Sequence, residues 1–442
     1  MGLAASETKK QESTVKKVGK DTREKVEHTY TAEIIIGICA PIGSYSAPVI
    51  DELEKQLKED YNYTVVRIKL SQIISQFYDI TGNPSPGETM AYSILQKKIA
   101  GGDWLREKHK NYSILAELAI AYIHVQRSVE ITGGKSLPDP TEFIGRRVCY
   151  IIDSLKNQEE LLLLRSVYRG LFYLFSIYSP LKLREKTLYD KGLSKDEVRQ
   201  IINTDDFENN EHGQNVRDTF IDADFFIRVD KQFKKTLSRK IERYLNLVFD
   251  CEIITPLPHE IAMYQAKSAA NNSGCLSRQV GAAITDKDFN VLSTGWNDVP
   301  KFGGNLYTDQ DEEKDHRCKI VGNCSNDIRK KQLANDIALT IISNPELKDL
   351  LKPEVSPEHI NEELVPHLGN LVRNSTKIKD LIEYSRAVHA EMHAIIIGSQ
   401  QTGSKMIGGN LFCTTYPCHN CARHVILAGI KQLFYIEPYK KV

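Results

Sequence analysis

The chain has 442 residues, of which 41% are hydrophobic and 26% charged, and its 58 basic side chains balance its 58 acidic ones. A chain of this length exceeds what one hydrophobic core usually organises, so we expect two domains, and the composition excludes wholesale disorder. The zero net charge excludes a global basic field of the kind that drives polynucleotide binding. No apolar run approaches the length that a membrane-spanning helix requires, and the N-terminus lacks the apolar stretch of a secretory signal peptide. We therefore expect a cytoplasmic protein without membrane contact, whose nine cysteines are reduced.

The first part of the chain predicts a tail followed by an α/β domain. Residues 1–29 are charged and polar and predict a flexible tail. Residues 30–248 open with an apolar strand (EIIIGICA), a helix (APVIDELEKQLKED) and a second strand (YTVVRIKL), the start of a parallel βαβ unit. Further strands are predicted in RRVCYIIDSL, LFYLFSIYS and ADFFIRV, so this region predicts one parallel α/β domain.

A candidate phosphate-binding loop follows the first predicted strand. The segment GICAPIGSYS precedes a helix, as a loop that binds phosphate at a helix N-terminus does. Its candidate phosphate-binding residues are Gly37, Gly43, Ser44 and Ser46, and Asp153 ends a later strand. A standard phosphate loop also supplies a lysine to the β- and γ-phosphates, and this loop has none. The loop therefore predicts nucleotide or phosphate binding without phosphoryl transfer, and a plain glycine-containing turn is the alternative.

The remaining residues, 249–442, predict a second α/β domain. A helix over residues 262–270 precedes a hairpin formed by QVGAAITD and VLSTGWN. A polar and helical insertion follows at about 300–384, and insertions of this length usually serve as lids, oligomer contacts or extra metal sites. The chain then predicts helix, strand, helix and strand in HAEMHAIII, NLFCTTY, CHNCARHVILAG and QLFYIEPY. This order predicts a three-layer α/β/α domain.

Four residues near the C-terminus form a candidate catalytic metal site: His389 and Glu391 in HAE, Cys418 and Cys421 in PCHNC. Two thiolates and one imidazole give zinc three protein ligands and leave the fourth tetrahedral position for water. Zinc lowers the pKa of such a water toward neutrality, and Glu391, which is not a ligand, can move protons. The motif matches the His-x-Glu and Pro-Cys-x-x-Cys signature of the zinc deaminases. A structural zinc site is the alternative, but it would require a fourth protein ligand.

Residues 251–442 resemble the deoxycytidylate deaminases of the cytidine deaminase superfamily in HAE, in PCHNC, and in the segments CLSRQVGAAI and STGWNDVP. The resemblance implies that Asn297 hydrogen-bonds the sugar or phosphate side of a nucleotide. Trp296 and Asp298 depart from the family's Gly-Tyr-Asn-Gly stretch, and a turn role for Asn297 is the alternative. Some phage-type members carry a second, structural zinc on a cysteine that matches Cys275, with free thiols as the alternative. Further candidate ligands lie in the insertion: His316, Cys318 and Cys324.

The first domain resembles the P-loop nucleotide kinases in the segments GICAPIGSYS, CYIIDSLKNQEEL and ADFFIRVD. A degenerate kinase-like domain joined to a deoxycytidylate deaminase-like domain resembles the bacterial antiviral dCTP/dCMP deaminases. That resemblance implies zinc-dependent conversion of dCTP and dCMP to dUTP and dUMP, which depletes the dC nucleotides that phage replication needs. It also implies restraint by a small inhibitory RNA in some members, and we expect a homo-oligomer. The alternatives are a polynucleotide-editing cytidine deaminase and a catalytically silent nucleotide-binding regulator.

Overall fold

In the computed structural model of this chain, the structure describes residues 33–81, 84–132, 146–207, 216–230, 233–344 and 364–437. The chain divides into two compact units, Met1–Ile254 and Thr255–Val442, and the boundary predicted at residue 248 lies close to this division. The predicted tail over residues 1–29 lies outside the described residues. Among the described helices, none combines the length and the apolarity that crossing a membrane requires.

A five-stranded parallel sheet forms the centre of the first unit. Its strands are β1 (Ile34–Cys39), β2 (Thr64–Lys69), β3 (Val148–Asp153), β4 (Phe172–Tyr178) and β5 (Phe225–Arg228), in the order β2-β3-β1-β4-β5. Every residue of β1 is buried, as expected for a central strand covered on both faces. Because strand side chains alternate, Ile35 enters one hydrophobic core and Ile36 enters the other. The predicted parallel α/β fold is confirmed.

Helices cover both faces of this sheet. They are α1 (Ala47–Glu59), α2 (Leu70–Phe77), α3 (Met90–His109), α4 (Ile114–Thr132), α5 (Gln158–Tyr168), α6 (Leu181–Asp190), α7 (Lys195–Phe207), α8 (Val216–Ile221) and α9 (Leu237–Val248). Apolar side chains of α1 and α9 pack on one face, and those of α4 and α5 pack on the other. A buried ion pair also joins α3 to α5, with Arg106 Nη2 at 2.8 Å from Glu160 Oε1.

The loops that follow β1, β3 and β4 meet at one edge of the sheet. The backbone N–H of Leu155 donates to the carbonyl of Ile38 at 2.9 Å. The backbone N–H of Tyr45 donates to the hydroxyl of Ser179 at 3.2 Å. Because all five strands are parallel, this is the carboxyl edge, where open α/β sheets bind their ligands.

The second unit contains a four-stranded mixed sheet between helices. Its strands are β6 (Gly281–Thr285), β7 (Val291–Trp296), β8 (Asn410–Thr415) and β9 (Gln432–Glu437), in the order β7-β6-β8-β9, with only β8 and β9 parallel. Its helices are α10 (Pro258–Ala270), α11 (Cys318–Val321), α12 (Ser325–Ser343), α13 (Val365–Ser375), α14 (Ala390–Thr402) and α15 (His419–Leu427). Ile284 packs with α14 on one face, whereas Ala283 packs with α10 on the other. The unit is thus three-layered.

The region predicted as an insertion lies between β7 and α14. Its described residues form α11, α12 and α13, with short 3-10 turns at Asp309–Lys314 and Lys377–Asp380. Residues 345–363 lie outside the described part of the chain. The described part of this region is therefore mainly helical.

Candidate active site

Small residues let helix α14 lie directly on strand β7. A Cβ built on Gly295 would come within 2.6 Å of the carbonyl oxygen of Ala390, and closer still to the backbone nitrogen of Ala394. The hydroxyl of Ser293 donates to the carbonyl of Ala394 at 2.9 Å, which adds a specific contact between strand and helix. Any larger residue at position 295 would push the helix away. Close packing therefore fixes where α14 begins, and His389 is its N-cap residue.

Three predicted zinc ligands meet at the starts of α14 and α15. His389 Nδ1 lies 3.4 Å from Cys418 Sγ and 3.3 Å from Cys421 Sγ, and all three ligand atoms lie within 4.8 Å of one another. A tetrahedral zinc with ordinary Zn–N and Zn–S bonds would hold such atoms about 3.6 Å apart. The donor set and its spacing therefore fit zinc. Among the residues that the structure describes, this is the one compact group of three metal-binding side chains.

The surroundings of the two thiols shift their pKa values in opposite directions. Cys418 is the N-cap of α15, and its sulfur accepts a hydrogen bond from the backbone N–H of Cys421 at 3.5 Å. A hydrogen bond from the Cys421 thiol lowers the pKa of Cys418 to about 3, against the opposing effect of burial, and His389 contributes in the same direction. The pKa of Cys421 is raised because its thiol donates that proton. A helix N-terminus also favours thiolate, so the position of Cys418 suits a metal-binding thiolate.

Glu391 lies beside the ligands without belonging to the three-atom group. It is in the first turn of α14 and is only 4% exposed. Burial raises the pKa of its carboxyl, and the group interacts with the Cys421 thiol. It also interacts with Cys413, a fully buried residue of β8 whose pKa is raised by burial and by this carboxylate. A buried carboxyl group with a raised pKa is better able to hold a proton than an exposed one, as a general acid requires.

His393, which is not among the site residues predicted from the sequence, is buried and hydrogen-bonded through both nitrogens of its ring. The ring is 5% exposed, and its Nδ1 accepts a hydrogen bond from the backbone N–H of Trp296 at 3.2 Å. The proton of the neutral ring therefore lies on Nε2, which donates to Asn305 Oδ1 at 3.0 Å. Burial lowers the pKa of this histidine, which favours the neutral form. His393 thus ties α14 to the segment after β7, and its position four residues after His389 was the available sequence signal.

The amide of Asn297, predicted to contact a nucleotide, bonds to the backbone next to β6. Its Oδ1 accepts from the N–H of Val280 and its Nδ2 donates to the carbonyl of Arg278, each at 2.7 Å. The neighbouring Asp298 is 1% exposed and accepts from the N–H of Gly274 at 2.8 Å. These bonds hold the segment between α10 and β6 against the end of β7. The substrate contact of Asn297 stays a prediction.

Three thiols named as candidates for a second zinc are neighbours in the second unit. Cys318 is buried, and burial raises its pKa, with smaller contributions from Cys275 and Cys324. His316 is exposed, and its ring packs edge-on against Tyr307 with centroids 5.7 Å apart. Within the described residues these side chains do not form a compact group of three ligand atoms. The second zinc stays a prediction.

The predicted phosphate-binding residues of the first unit lie at or near the carboxyl edge of its sheet. Gly43 adopts a positive φ of 77°, Ser44 follows it, and Ser46 is the N-cap residue of α1. Asp153 ends β3, and burial raises the pKa of its carboxyl. Gly37 lies inside β1, three residues before the loop begins at position 40. Phosphate binding by these residues stays a prediction.

Comparison with known proteins concerns the second unit. Residues 257–437 match the family model of the cytidine and deoxycytidylate deaminase zinc-binding region. The chain is similar to the deoxycytidylate deaminases of Enterobacteria phages T2 and T4, with 28% and 27% identity over 172 residues; the matches cover 39% of this chain and 76% and 74% of those proteins. A solved structure of dCMP deaminase from cyanophage S-TIM5, in apo form, is 20% identical, with a TM-score of 0.21 over 41% of this chain and 84% of that one. The similarity to the cytidine and deoxycytidylate deaminases therefore lies within the second unit, over residues 257–437.

Proposed function

We propose that the second unit hydrolyses the exocyclic amine of deoxycytidine nucleotides, converting dCMP to dUMP and dCTP to dUTP with release of ammonia. The oxygen of one water molecule bonds to the amine-bearing ring carbon, the bond between that carbon and the amine breaks, and ammonia leaves a carbonyl behind. The observation that carries this proposal is the cluster of one imidazole and two thiols with Glu391 buried beside it. The match of residues 257–437 to the deaminase family model supports the same reaction class.

The residues of the site divide the work of this reaction. His389, Cys418 and Cys421 would hold zinc, since their spacing suits its tetrahedral bonds. Bound zinc makes water acidic enough to act as a nucleophile at neutral pH. Glu391 would carry both protons of the attacking water, delivering one to the ring nitrogen and the other to the leaving amine. His393 hydrogen-bonds Trp296 at the end of β7 and Asn305 in the segment that follows it. These bonds would hold that segment against α14, next to the proposed metal site.

A deoxycytidine mononucleotide is favoured over the rival hypotheses. The phage relatives are named deoxycytidylate deaminases, and by name they act on dCMP. A polynucleotide-editing deaminase is disfavoured because the chain has no net positive charge. A silent regulator is disfavoured because the chain carries His389, Glu391, Cys418 and Cys421, the full residue set of the deaminase motif.

The decisive assay measures ammonia release from dCMP, dCTP, CTP and deoxycytidine in parallel, with single-stranded DNA and RNA as further substrates and zinc content measured on the same sample. We expect turnover of dCMP and dCTP. Uracil appearing only in the polymers would favour the editing deaminase. Binding of a cytosine nucleotide by zinc-loaded protein, without ammonia release from any substrate, would favour the regulator.

The zinc stoichiometry distinguishes one metal site from two. The site at His389 requires one zinc per chain, and the structural zinc implied by the family resemblance would add another near Cys318. Metal analysis of the wild type and of Cys318→Ser separates these cases. We expect one zinc in both proteins; a count of two that falls to one in the variant would establish the second site.

We propose that deamination depletes dC nucleotides as an antiviral defence, in a homo-oligomer that a small RNA can restrain. The support for these three statements is the resemblance of the two-domain chain to the bacterial antiviral dCTP/dCMP deaminases. Phage plaque formation on cells that express the wild type or Glu391→Gln tests the defence. Protection by the inactive variant would contradict it. Light scattering tests the oligomer, and deaminase assays before and after ribonuclease treatment of the protein from infected and uninfected cells test the restraint.

We also propose that the first unit is a degenerate P-loop kinase-like domain that binds a nucleotide phosphate at the loop over residues 40–46. The loop lies between β1 and α1 at the carboxyl edge of a parallel sheet, the usual ligand edge of such folds. The half-buried carboxyl of Asp153 lies at the end of the neighbouring strand. Because the loop itself carries no lysine, we expect binding without phosphoryl transfer.

A further inference from the structure

Arg184 contacts the loop over residues 40–46 directly, and a second cation, Lys156, is linked to the same loop through the carboxylate of Asp205. Lys156 follows β3, and its Nζ lies 2.5 Å from Asp205 Oδ1. Arg184 belongs to α6, and its Nε donates to the carbonyl of Ile42 at 2.8 Å. The backbone N–H of Ile42, within the loop, donates to Asp205 Oδ2 at 2.6 Å, and Arg184 Nη2 lies 3.9 Å from the same oxygen. We call Ile42, Lys156, Arg184 and Asp205 the Asp205 cluster.

The Asp205 carboxylate occupies a position that its own helix does not favour. It lies in the last turn of α7, where the helix dipole disfavours a negative charge, and aspartate is a weak helix former. Its side chain is nevertheless completely buried. A buried carboxylate requires partners, and those in the cluster are one backbone N–H of the loop and two cations. These are the partners that a bound oxyanion would have.

The other polar groups of the loop divide into satisfied and unsatisfied ones. The N–H of Ser44 donates to the carbonyl of Pro41, and the N–H of Tyr45 donates to Ser179. The hydroxyl of Ser44, by contrast, is buried and has no hydrogen-bond partner among the described residues. A buried hydroxyl without a partner is costly, so it marks a place where a ligand can supply one.

We propose that the Asp205 cluster is an oxyanion site in which the Asp205 carboxylate stands in for a phosphate group, and that the phosphate of a nucleotide displaces it. The loop itself contains no lysine, and Lys156 and Arg184 would supply the positive charge from elements that lie next to it. This inference rests on the proposed phosphate binding of the first unit. It adds which side chains bind the phosphate, Lys156 and Arg184, and which group competes with it, the Asp205 carboxylate. Phosphate suits the site because it carries more negative charge than a carboxylate and offers more acceptor oxygens to two cations.

Only the end of α7 has to move for this exchange. Val198, Ile201 and Ile202 anchor the body of the helix in an apolar cluster that also contains Leu188. Asp205 lies beyond these anchors, two residues before the helix ends at Phe207. Helix ends fray more easily than their centres, since their last carbonyls have no partner within the helix. Unwinding one turn would therefore release the carboxylate while the apolar cluster stays packed.

The test measures binding of inorganic tripolyphosphate to the full-length protein by isothermal titration calorimetry. The variant Asp205→Asn keeps the shape of the side chain and removes its charge. The matched control is Asp190→Asn, which changes an exposed aspartate in the last turn of α6. We expect Asp205→Asn to bind tripolyphosphate at least about ten-fold more tightly than the wild type and the control, because charge-assisted contacts become available. Adding Lys156→Gln to Asp205→Asn should abolish this gain.

The possible results separate this inference from the proposed function on which it rests. Equal binding by the wild type and Asp205→Asn, lost in Lys156→Gln, would retain phosphate binding at the loop and overturn the role of Asp205. Absence of binding in both proteins would overturn both proposals. A gain that survives Lys156→Gln would place the anion elsewhere and overturn the cluster as its site.

A second measurement applies if Asp205→Asn does not fold. Hydrogen–deuterium exchange of the wild type is compared with and without millimolar tripolyphosphate. We expect faster exchange in the last turn of α7 and slower exchange in the loop over residues 40–46, because the phosphate replaces the carboxylate as acceptor. Exchange that stays unchanged in both segments at a concentration that saturates binding would overturn the inference.

Discussion

The variant Gly295→Ala tests how closely α14 must approach β7 for activity. The added Cβ would lie 2.6 Å from the carbonyl oxygen of Ala390, whereas ordinary contacts begin at 3.4 Å. The helix must therefore shift by roughly 1 Å, because its backbone, unlike a side chain, has no other rotamer to adopt. Overpacking of this kind costs about 1–3 kcal/mol in the free energy of unfolding. Since α14 carries Glu391 and begins at His389, we expect kcat to fall about 100-fold.

The assay for Gly295→Ala combines steady-state kinetics on dCMP, zinc content and the melting temperature. The matched control is Gly170→Ala, because a Cβ at position 170 would meet nothing within 4 Å. We expect the control to keep the wild-type kcat. A Gly295→Ala protein that retains zinc and turns over dCMP at the wild-type rate would refute the argument that this contact sets the position of the acid.

Three further changes test other parts of the account. Arg106→Met leaves the fully buried Glu160 without its cation and should lower the free energy of unfolding in urea by roughly 3–5 kcal/mol; a loss below about 1 kcal/mol would contradict this. Hydrogen bonds outweigh burial and lower the pKa of Glu197, so the unfolded state binds its proton more tightly. Stability should therefore fall as pH drops below about 4.5, and urea unfolding should show a shallower fall for Glu197→Gln. Cys421→Ser should lose zinc by metal analysis while the first unit stays folded; retained zinc would exclude Cys421 as a ligand.

The grouping of the three candidate metal ligands could be predicted from the sequence because the geometry of each motif is largely local. Cys418 and Cys421 lie at the start of one helix, and His389 begins another with Glu391 in its first turn. The spacing within each motif therefore determines how the two side chains of that motif lie relative to each other. The tertiary structure is needed only to bring the starts of the two helices together. Strand β1 could also be predicted from the sequence, because a fully buried parallel strand appears there as a short apolar run.

The contacts that sequence reasoning missed join distant segments. Asp205 accepts a hydrogen bond from Ile42, which lies 163 residues away in the chain, and no sequence motif indicates that the two residues are in contact. The hydrogen bonds of His393 also depend on where β7 and its following segment lie. Asn297 was interpreted through the family resemblance, but its amide contacts follow from the path of the backbone between α10 and β6. Such contacts depend on topology, which residue type and spacing do not encode.

The central claim is that a zinc site with Glu391 as proton carrier deaminates a deoxycytidine nucleotide. Its most direct test is the rate of conversion of dCMP to dUMP by zinc-loaded wild type and Glu391→Gln, with zinc content measured on both. We expect equal zinc content, because this carboxylate is not one of the three ligands, and a rate about a hundred- to ten-thousand-fold lower in the variant. A variant that keeps both its zinc and the wild-type rate would contradict the claim.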